Sequence, residues 1–443
     1  MKTDFPHILC INPWIHDFAA YDFWARPLGL LTLAGILLER GVRVSFIDCL
    51  DRYHPKEKQP VKVQWDGRGP FRKTQIDLPD GLEKINRKFS RYGVKKEWFD
   101  QDLKRIQKPD LILVTSLMTY WASGVKETIE NIKRVYSKVP LVLGGIYASL
   151  CFEQAKKNTL ADEVIKGPGE FHLKYILEKY TGFDMGDMDK YQDLDHVPFP
   201  ALYLQNSMAY APIQTSRGCP FSCDYCASSF LEPELRRRSS GHVFEEIQYW
   251  YRKHNTRNFA FYDDALLLQA EKYAFPLFEK VIASDMKPWF HTPNALHINA
   301  ITKKAAVLMH RVGFKTIRLG LETTVFSDPR RHDLKVASDA FFVAVENLKS
   351  AGFKTHQLGA YLLCGLPEQN LNHVEASVRL VKKTGIIPVL AFYTPIPHTP
   401  LWEKAVITSK YDLLKHPVFT NNTLFPCVHS NADVKRISQL KNL

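Results

Sequence analysis

No stretch of this 443-residue chain approaches the roughly 20 consecutive apolar residues that a membrane-spanning helix needs, so a membrane protein is not expected. The opening residues Met1-Lys2-Thr3-Asp4-Phe5-Pro6 contain no apolar core of a secretory leader. Cysteine is sparse, with eight residues, and Cys10, Cys49, Cys151, Cys364 and Cys427 lie far apart. Scattered cysteines read as small buried hydrophobes and not as a disulfide framework, which points to a reducing, cytoplasmic compartment. No internal repeat and no low-complexity segment is present. The formal net charge is +12, yet the basic residues are dispersed, with only short clusters such as Lys95-Lys96 and Arg236-Arg237-Arg238. There is no basic stripe interleaved with aromatics, so the charge reads as a solvated surface and not as a nucleic-acid platform. With 45% hydrophobic and 24% charged residues the composition is that of an ordinary globular chain, and the length suggests two or three domains.

The remaining cysteines are concentrated in Arg217-Gly218-Cys219-Pro220-Phe221-Ser222-Cys223-Asp224-Tyr225-Cys226, at spacing C-x3-C-x2-C. Thiolates this close in sequence can face one point, and soft thiolates suit iron–sulfur clusters. A [4Fe–4S] cube takes four ligands, and no fourth cysteine lies nearby, so one iron would stay open. Gly218 permits a tight bend around a bulky cluster. The apolar run 210–215 leads into the motif as a strand, placing the cysteines at a strand's carboxyl end, where α/β barrels carry chemistry. The alternative is a three-cysteine zinc site, which needs a fourth Cys or His; the nearest downstream histidine is His242.

This motif, with the aromatic Tyr225 before its last cysteine, resembles that of the radical S-adenosylmethionine (SAM) superfamily. The resemblance implies a [4Fe–4S] cluster on Cys219, Cys223 and Cys226 whose open iron is chelated by SAM. It also implies reductive cleavage of SAM to methionine and a 5′-deoxyadenosyl radical.

Ahead of the motif the pattern alternates. Strands are expected at 7–13, 42–49, 110–114, 140–144 and 162–166, with helical periodicity at 30–38 and 125–136. Residues 51–105 are polar and proline-rich and read as an insertion. Strands alternating with helices mean a doubly wound, Rossmann-like parallel sheet. This half is similar to the cobalamin-binding domain found ahead of many radical SAM domains. Thr115-Ser116-Leu117 stands at that family's S-x-L place and Gly144-Gly145 at its G-G, which implies cobalamin contacts there. The family's D-x-H-x-x-G is missing after the first strand, and His16 there reads as a surface-loop histidine, not a cobalt ligand. The expected boundaries are 1–184 for this domain, 185–205 for a proline-rich linker, 206–405 for the barrel and 406–443 for a tail with a helix near 434–443.

From 210 onward six strand candidates, 210–215, 258–262, 288–292, 316–321, 356–363 and 389–393, alternate with helical stretches, one of them capped by Ser240. Six β/α units make the partial barrel of the superfamily. Asp263 and Asp264 end the second strand, and a carboxylate is the natural partner of the SAM ammonium. Gly320-Leu321-Glu322-Thr323 ends the fourth strand and resembles the family's G-x-E-S, with Thr for Ser, which implies contacts from Glu322 to SAM polar groups; Arg318 shares that face by alternation and reads equally as a partner of the SAM carboxylate or of Glu322 in a buried pair. Gly365-Leu366-Pro367, after the fifth strand, match the family's G-L-P-x-E loop along the adenine. Cys364 invites a catalytic reading, yet a cysteine in such a strand is more often core. His398 replaces the glycine of the family's P-x-P-G-T-P-L; a solvated loop residue is the simpler reading than a proton-transfer group. No catalytic residue is assigned.

Together these features suggest a cobalamin-dependent radical SAM methyltransferase acting on an unactivated carbon of a small-molecule or peptide substrate. An external electron donor such as flavodoxin or ferredoxin is implied. A radical rearrangement or oxidation enzyme is the second reading, and a non-catalytic iron–sulfur sensor the third. A methylthiotransferase fits less well, because Cys10, Cys49 and Cys151 do not form a second cluster motif.

Overall fold

The computed structural model describes residues 5–59, 61–326 and 338–440. They group into two compact units, Met1–Met208 and Ala209–Leu443.

The first unit is built on five parallel strands: β1 (His7–Asn12), β2 (Arg43–Asp48), β3 (Leu111–Val114), β4 (Leu141–Leu143) and β5 (Glu163–Val164), in spatial order β5-β4-β3-β1-β2. The sequence explains both faces. Every residue of β1 is buried, as a strand covered by helices on each side must be. Its alternate side chains serve different cores. Ile8 and Cys10 pack with α1 (Leu28–Glu39), whereas Leu9 and Ile11 pack with α2 (Lys96–Arg105) and α3 (Ala122–Val135). Order 2-1-3-4-5 reverses direction between β1 and β3, and ligands of such sheets sit at the strand carboxyl ends beside that reversal.

Two stretches are more ordered than their composition suggests. Within 51–105, strands Lys73–Ile76 and Phe89–Tyr92 pair antiparallel with each other, and the latter pairs with Ile15–Asp17. The expected linker 185–205 places Tyr191, Leu194, Val197 and Ala201 in the core with α1 and α4 (Leu173–Thr181). Its prolines stop regular helix and strand without stopping the apolar side chains between them from packing.

The second unit holds six parallel strands in sequential order: β6 (Ala211–Ile213), β7 (Asn258–Phe261), β8 (Trp289–His291), β9 (Phe314–Glu322), β10 (Leu358–Cys364) and β11 (Ile387–Phe392). Sequential parallel strands joined through helices form a partial (β/α)6 barrel, open between β6 and β11. Helix α5 (Ser240–His254) is capped one residue earlier than expected. Ser239 Oγ accepts from the His242 N–H at 3.1 Å, because its extended backbone, and not that of Ser240, stands outside the helix. The expected tail is a third layer of this unit. Phe425, Val428, Ile437 and Leu440 pack on Cys364 and on Leu371 and Val374 of α6 (Leu371–Lys383). Arg436 of α7 (Asn431–Leu440) pairs with Glu375 at 2.7 Å. Positions 441–443 of the expected last helix lie outside the described residues.

Candidate functional site

The three cysteines sit on one loop with a defined throat. Ser216–Arg217 pairs antiparallel with Arg236–Arg237, so residues 218–235 leave and return at the same place. Gly218 stands at that throat with φ +82, and a Cβ there would lie 2.5 Å from the Glu234 carbonyl oxygen. No side chain fits, which gives the glycine its physical reason. Further along, the Cys226 N–H donates to the Cys223 carbonyl at 3.0 Å, and the Leu401 N–H after β11 donates to the Asp224 carbonyl at 3.0 Å.

The loop is fastened from below by Asp263. Its carboxylate is 3% exposed. Oδ1 accepts from Thr215 Oγ1 at 2.6 Å and from Ser216 Oγ at 2.8 Å, and the Thr215 N–H lies 3.0 Å from both oxygens. Burial pushes this carboxyl up from the ordinary aspartate range, against the pull of those donors. Both oxygens are therefore committed to the strand end that feeds the cysteine motif. The adjacent Asp264 behaves differently. It lines a cavity of about 360 Å³ together with Cys219, Cys223, Tyr225, Cys226 and Glu322. Of the two candidate aspartates, Asp264 faces the cavity, and Asp263 holds the loop.

Glu322 reaches the cavity through two local irregularities. The β9–β10 register shifts between Gly320 and Glu322, and Glu322 takes φ +64. A bulge with a left-handed residue re-aims a side chain at a site, and such backbone is uncommon for a residue with a Cβ. Arg318, expected on the same face, is not on the cavity wall. Its Nη1 donates to the carbonyls of Ile317 at 3.0 Å and Gln357 at 3.5 Å, so the guanidinium turns back along its own strand. Gly365, Leu366 and Pro367 also lie outside the cavity wall, although Leu363 just before them is on it. The N–H groups of Gly365 and Leu366 donate to Gln369 Oε1 at 2.7 and 3.3 Å, which closes this loop on itself.

The cavity wall also carries Asn294, His297, Tyr361 and Ser228, which no sequence motif singles out, and Phe221 from within the cysteine motif. The His297 ring packs tilted against Phe221, with ring centroids 4.1 Å apart and the planes at 40°. The first two follow β8, and the rule that barrel chemistry gathers at strand carboxyl ends pointed there as well as to the other strands. Cys364 is fully buried in an apolar cluster. His398, also off the cavity, takes φ +67 where the family pattern has glycine, and its ring stacks on Phe230 at 4.1 Å.

In the first unit, Ser116 and Gly145 are locked together. Ser116 Oγ donates to the Gly144 carbonyl at 2.7 Å, and the Ile146 N–H donates to the Ser116 carbonyl at 2.8 Å. Gly145 has φ +97, and a Cβ on it would lie 2.3 Å from the Ser116 oxygen. Gly144 is the opposite case: no atom lies within 4 Å of where its Cβ would stand. Next to this bare backbone, Met118 and Ile146 expose 46% and 38% of their surfaces. A flat, largely apolar ligand at the carboxyl ends of β3 and β4 fits this cradle, and corrin is such a ligand. His16 is 6% exposed, with Nε2 2.9 Å from Glu127 Oε2. It is a buried residue hydrogen-bonded to Glu127 and not the surface-loop histidine expected. Arg91 also pairs with Glu127, at 2.8 Å, and Lys96 lies at 3.7 Å. Burial alone would raise the Glu127 carboxyl, but His16, Arg91 and Lys96 outweigh it and hold the group at about 2.

For the cysteine loop, the donor set is three thiols on one cavity wall. Among the described residues no three His, Cys, Asp or Glu side chains are gathered to hold a single ion. Thiols spread along a wall suit the corners of a multi-iron cluster.

Comparison with known proteins agrees with both halves. Residues 213–381 match the radical SAM superfamily and residues 91–175 the B12 binding domain, together more than half of the chain. An uncharacterized methyltransferase of Pyrococcus horikoshii is 24% identical over 71% of this chain and 74% of its own length. Cytidylyl-2-hydroxyethylphosphonate methyltransferase of Streptomyces wedmorensis is 20% identical over 85% of this chain and 77% of its own. Among solved structures, the radical SAM methyltransferase TsrM of Kitasatospora setae, with tryptophan and a SAM analogue bound, superposes with TM-score 0.64. It is 14% identical and covers 92% of this chain and 77% of its own, a likeness of fold. The chain belongs to the radical SAM superfamily, in the branch that carries a B12-binding domain, and its class works with a [4Fe–4S] cluster, SAM and cobalamin.

Proposed function

We propose that this protein is a cobalamin-dependent methyltransferase acting on an unactivated carbon of a small-molecule or peptide substrate. The observation that carries the reading is one cavity lined by Cys219, Cys223, Cys226, Asp264 and Glu322, in a chain with a B12-binding domain. Methyltransferases among its relatives support methyl transfer over rearrangement. An iron–sulfur cluster held by the three cysteines would supply the electron for reductive cleavage of SAM, and cobalamin held by the first unit would supply the methyl group.

The chain's own residues then have these tasks. Cys219, Cys223 and Cys226 would hold the cluster and leave one iron open to SAM. Asp264 pairs with the SAM ammonium, where a charge-assisted bond in a partly dry pocket is strong. Glu322, aimed by its bulge, accepts hydrogen bonds from the ribose hydroxyls. Phe221, Leu296 and Leu363 on the wall exclude water from the radical. Thr115, Ser116, Leu117, Gly144 and Gly145 hold cobalamin through backbone. The electron comes from a flavodoxin- or ferredoxin-type donor. The protein works in the cytoplasm; among the described residues no helix is long and apolar enough to cross a membrane.

The test is anaerobic incubation of the reconstituted chain with SAM, hydroxocobalamin and a low-potential reductant. Formation of 5′-deoxyadenosine is expected, and so is methylation of cob(I)alamin by SAM. Cleavage of SAM without retained cobalamin would move the reading to the rearrangement or oxidation class. No cleavage at full iron loading would leave a sensor.

A further inference from the structure

One sulfur of the cysteine loop has two hydrogen-bond partners fixed by a single residue. Cys226 Sγ lies 3.2 Å from Ser228 Oγ and 3.5 Å from the Ser228 backbone nitrogen. Both come from the first residue of the short helix Ser228–Leu231, so the chain's own turn sets their positions. Ser228 also lines the cavity with the three cysteines. In the free protein either the thiol or the hydroxyl can donate. A cysteine that ligates iron is a thiolate and carries no proton, so the serine hydroxyl must then be the donor. A bond donated to a thiolate stabilises negative charge on sulfur. Reduction adds one electron to the cluster, so the reduced state gains more from that bond than the oxidised state. Hydrogen bonds to ligating sulfur are thus a lever on potential.

We propose that Ser228 is a positioning residue that raises the reduction potential of the iron–sulfur cluster by hydrogen bonding to Cys226. The proposal rests on the reading of Cys219, Cys223 and Cys226 as the cluster ligands. Ser228→Ala removes the hydroxyl and keeps the backbone donor, so the loop retains its turn. Ser228→Thr keeps a hydroxyl on the same carbon.

The experiment is a redox titration followed by EPR on the anaerobically reconstituted full chain, with iron counted in each sample. Ser228→Ala is expected to hold the wild-type amount of iron and to shift the midpoint potential to more negative values. Ser228→Thr is expected to stay near wild type. An alanine variant with full iron and an unshifted potential overturns the proposal, and so does a threonine variant shifted as far as alanine. Should the alanine variant lose iron, Ser228→Gly repeats the removal and is judged by the same shift. A wild-type chain that binds no iron sinks the ligand assignment and this proposal together, whereas a loaded wild type with an unshifted alanine variant sinks this proposal alone.

Discussion

Replacing Asp263 tests whether the cysteine loop is held from beneath. Its Oδ1 accepts hydrogen bonds from the Thr215 N–H, Thr215 Oγ1 and Ser216 Oγ, and the Thr215 N–H lies equally close to its Oδ2. An asparagine with its oxygen at the Oδ1 place keeps three acceptor contacts. It loses their charge assistance, regains the desolvation cost of a buried carboxylate, and sets an amide NH2 near the Thr215 N–H. These effects oppose one another and leave a cost of about 1 kcal/mol. Alanine removes the acceptor for three donors. The Thr215 N–H cannot turn away, and a stranded buried donor costs about 1–3 kcal/mol; with the two hydroxyls the sum is about 3–5 kcal/mol. Hydrogen exchange of the segment 211–218 reads this locally in the full chain. In Asp263→Ala it should speed up by on the order of 10²–10⁴, since about 1.4 kcal/mol is a factor of ten. Asp263→Asn should show about a tenth of that or less, and iron loading should fall in the same order. Exchange unchanged in the alanine variant, or an asparagine variant as damaging as alanine, would refute the reasoning.

Asp264→Asn should leave that exchange alone and weaken SAM binding by about 1.5–3 kcal/mol, measured by equilibrium dialysis of the reconstituted protein. His16→Ala should leave cobalamin retention and its absorption spectrum unchanged, because His16 is spent on Glu127 at 2.9 Å; a spectral change would make His16 a cobalt ligand. The Glu127 carboxyl is held at about 2 against an ordinary 4.5, so its stabilisation is complete above pH 4.5 and disappears as pH falls toward 2. That shift corresponds to about 2–3 kcal/mol once its partial exposure is discounted. Urea titrations at pH 6 and pH 3 should therefore show Glu127→Gln losing less stability on acidification than wild type, and an equal loss in both would contradict the assignment.

Much of this was legible in the sequence because strand burial and strand ends leave strong signals. The apolar runs at 8–11 and 111–114, bounded by turn signals, read as strands, and the cysteine spacing marked the loop outright. The two aspartates illustrate the limit. Side by side after one strand, Asp263 and Asp264 carry identical local information, yet alternation sends one toward Thr215 and Ser216 and the other into the cavity. Arg318 shows a related limit: alternation gives its place on the strand face, but a long side chain can reach back to backbone carbonyls, here those of Ile317 and Gln357. His297 and Asn294 carried no motif and depended on the barrel rule alone. The packing of 185–205 and of the C-terminal residues was hidden because irregular backbone has no period, so its apolar side chains give no sign of their direction.

The central claim is that Cys219, Cys223 and Cys226 ligate a [4Fe–4S] cluster with one iron open to SAM. Iron analysis combined with EPR of the reduced, anaerobically reconstituted chain tests it most directly. Four irons per chain are expected, with a cluster signal that changes when SAM is added, and both are lost in Cys223→Ala. A Cys223→Ala chain that retains four irons and an unaltered EPR spectrum would contradict it.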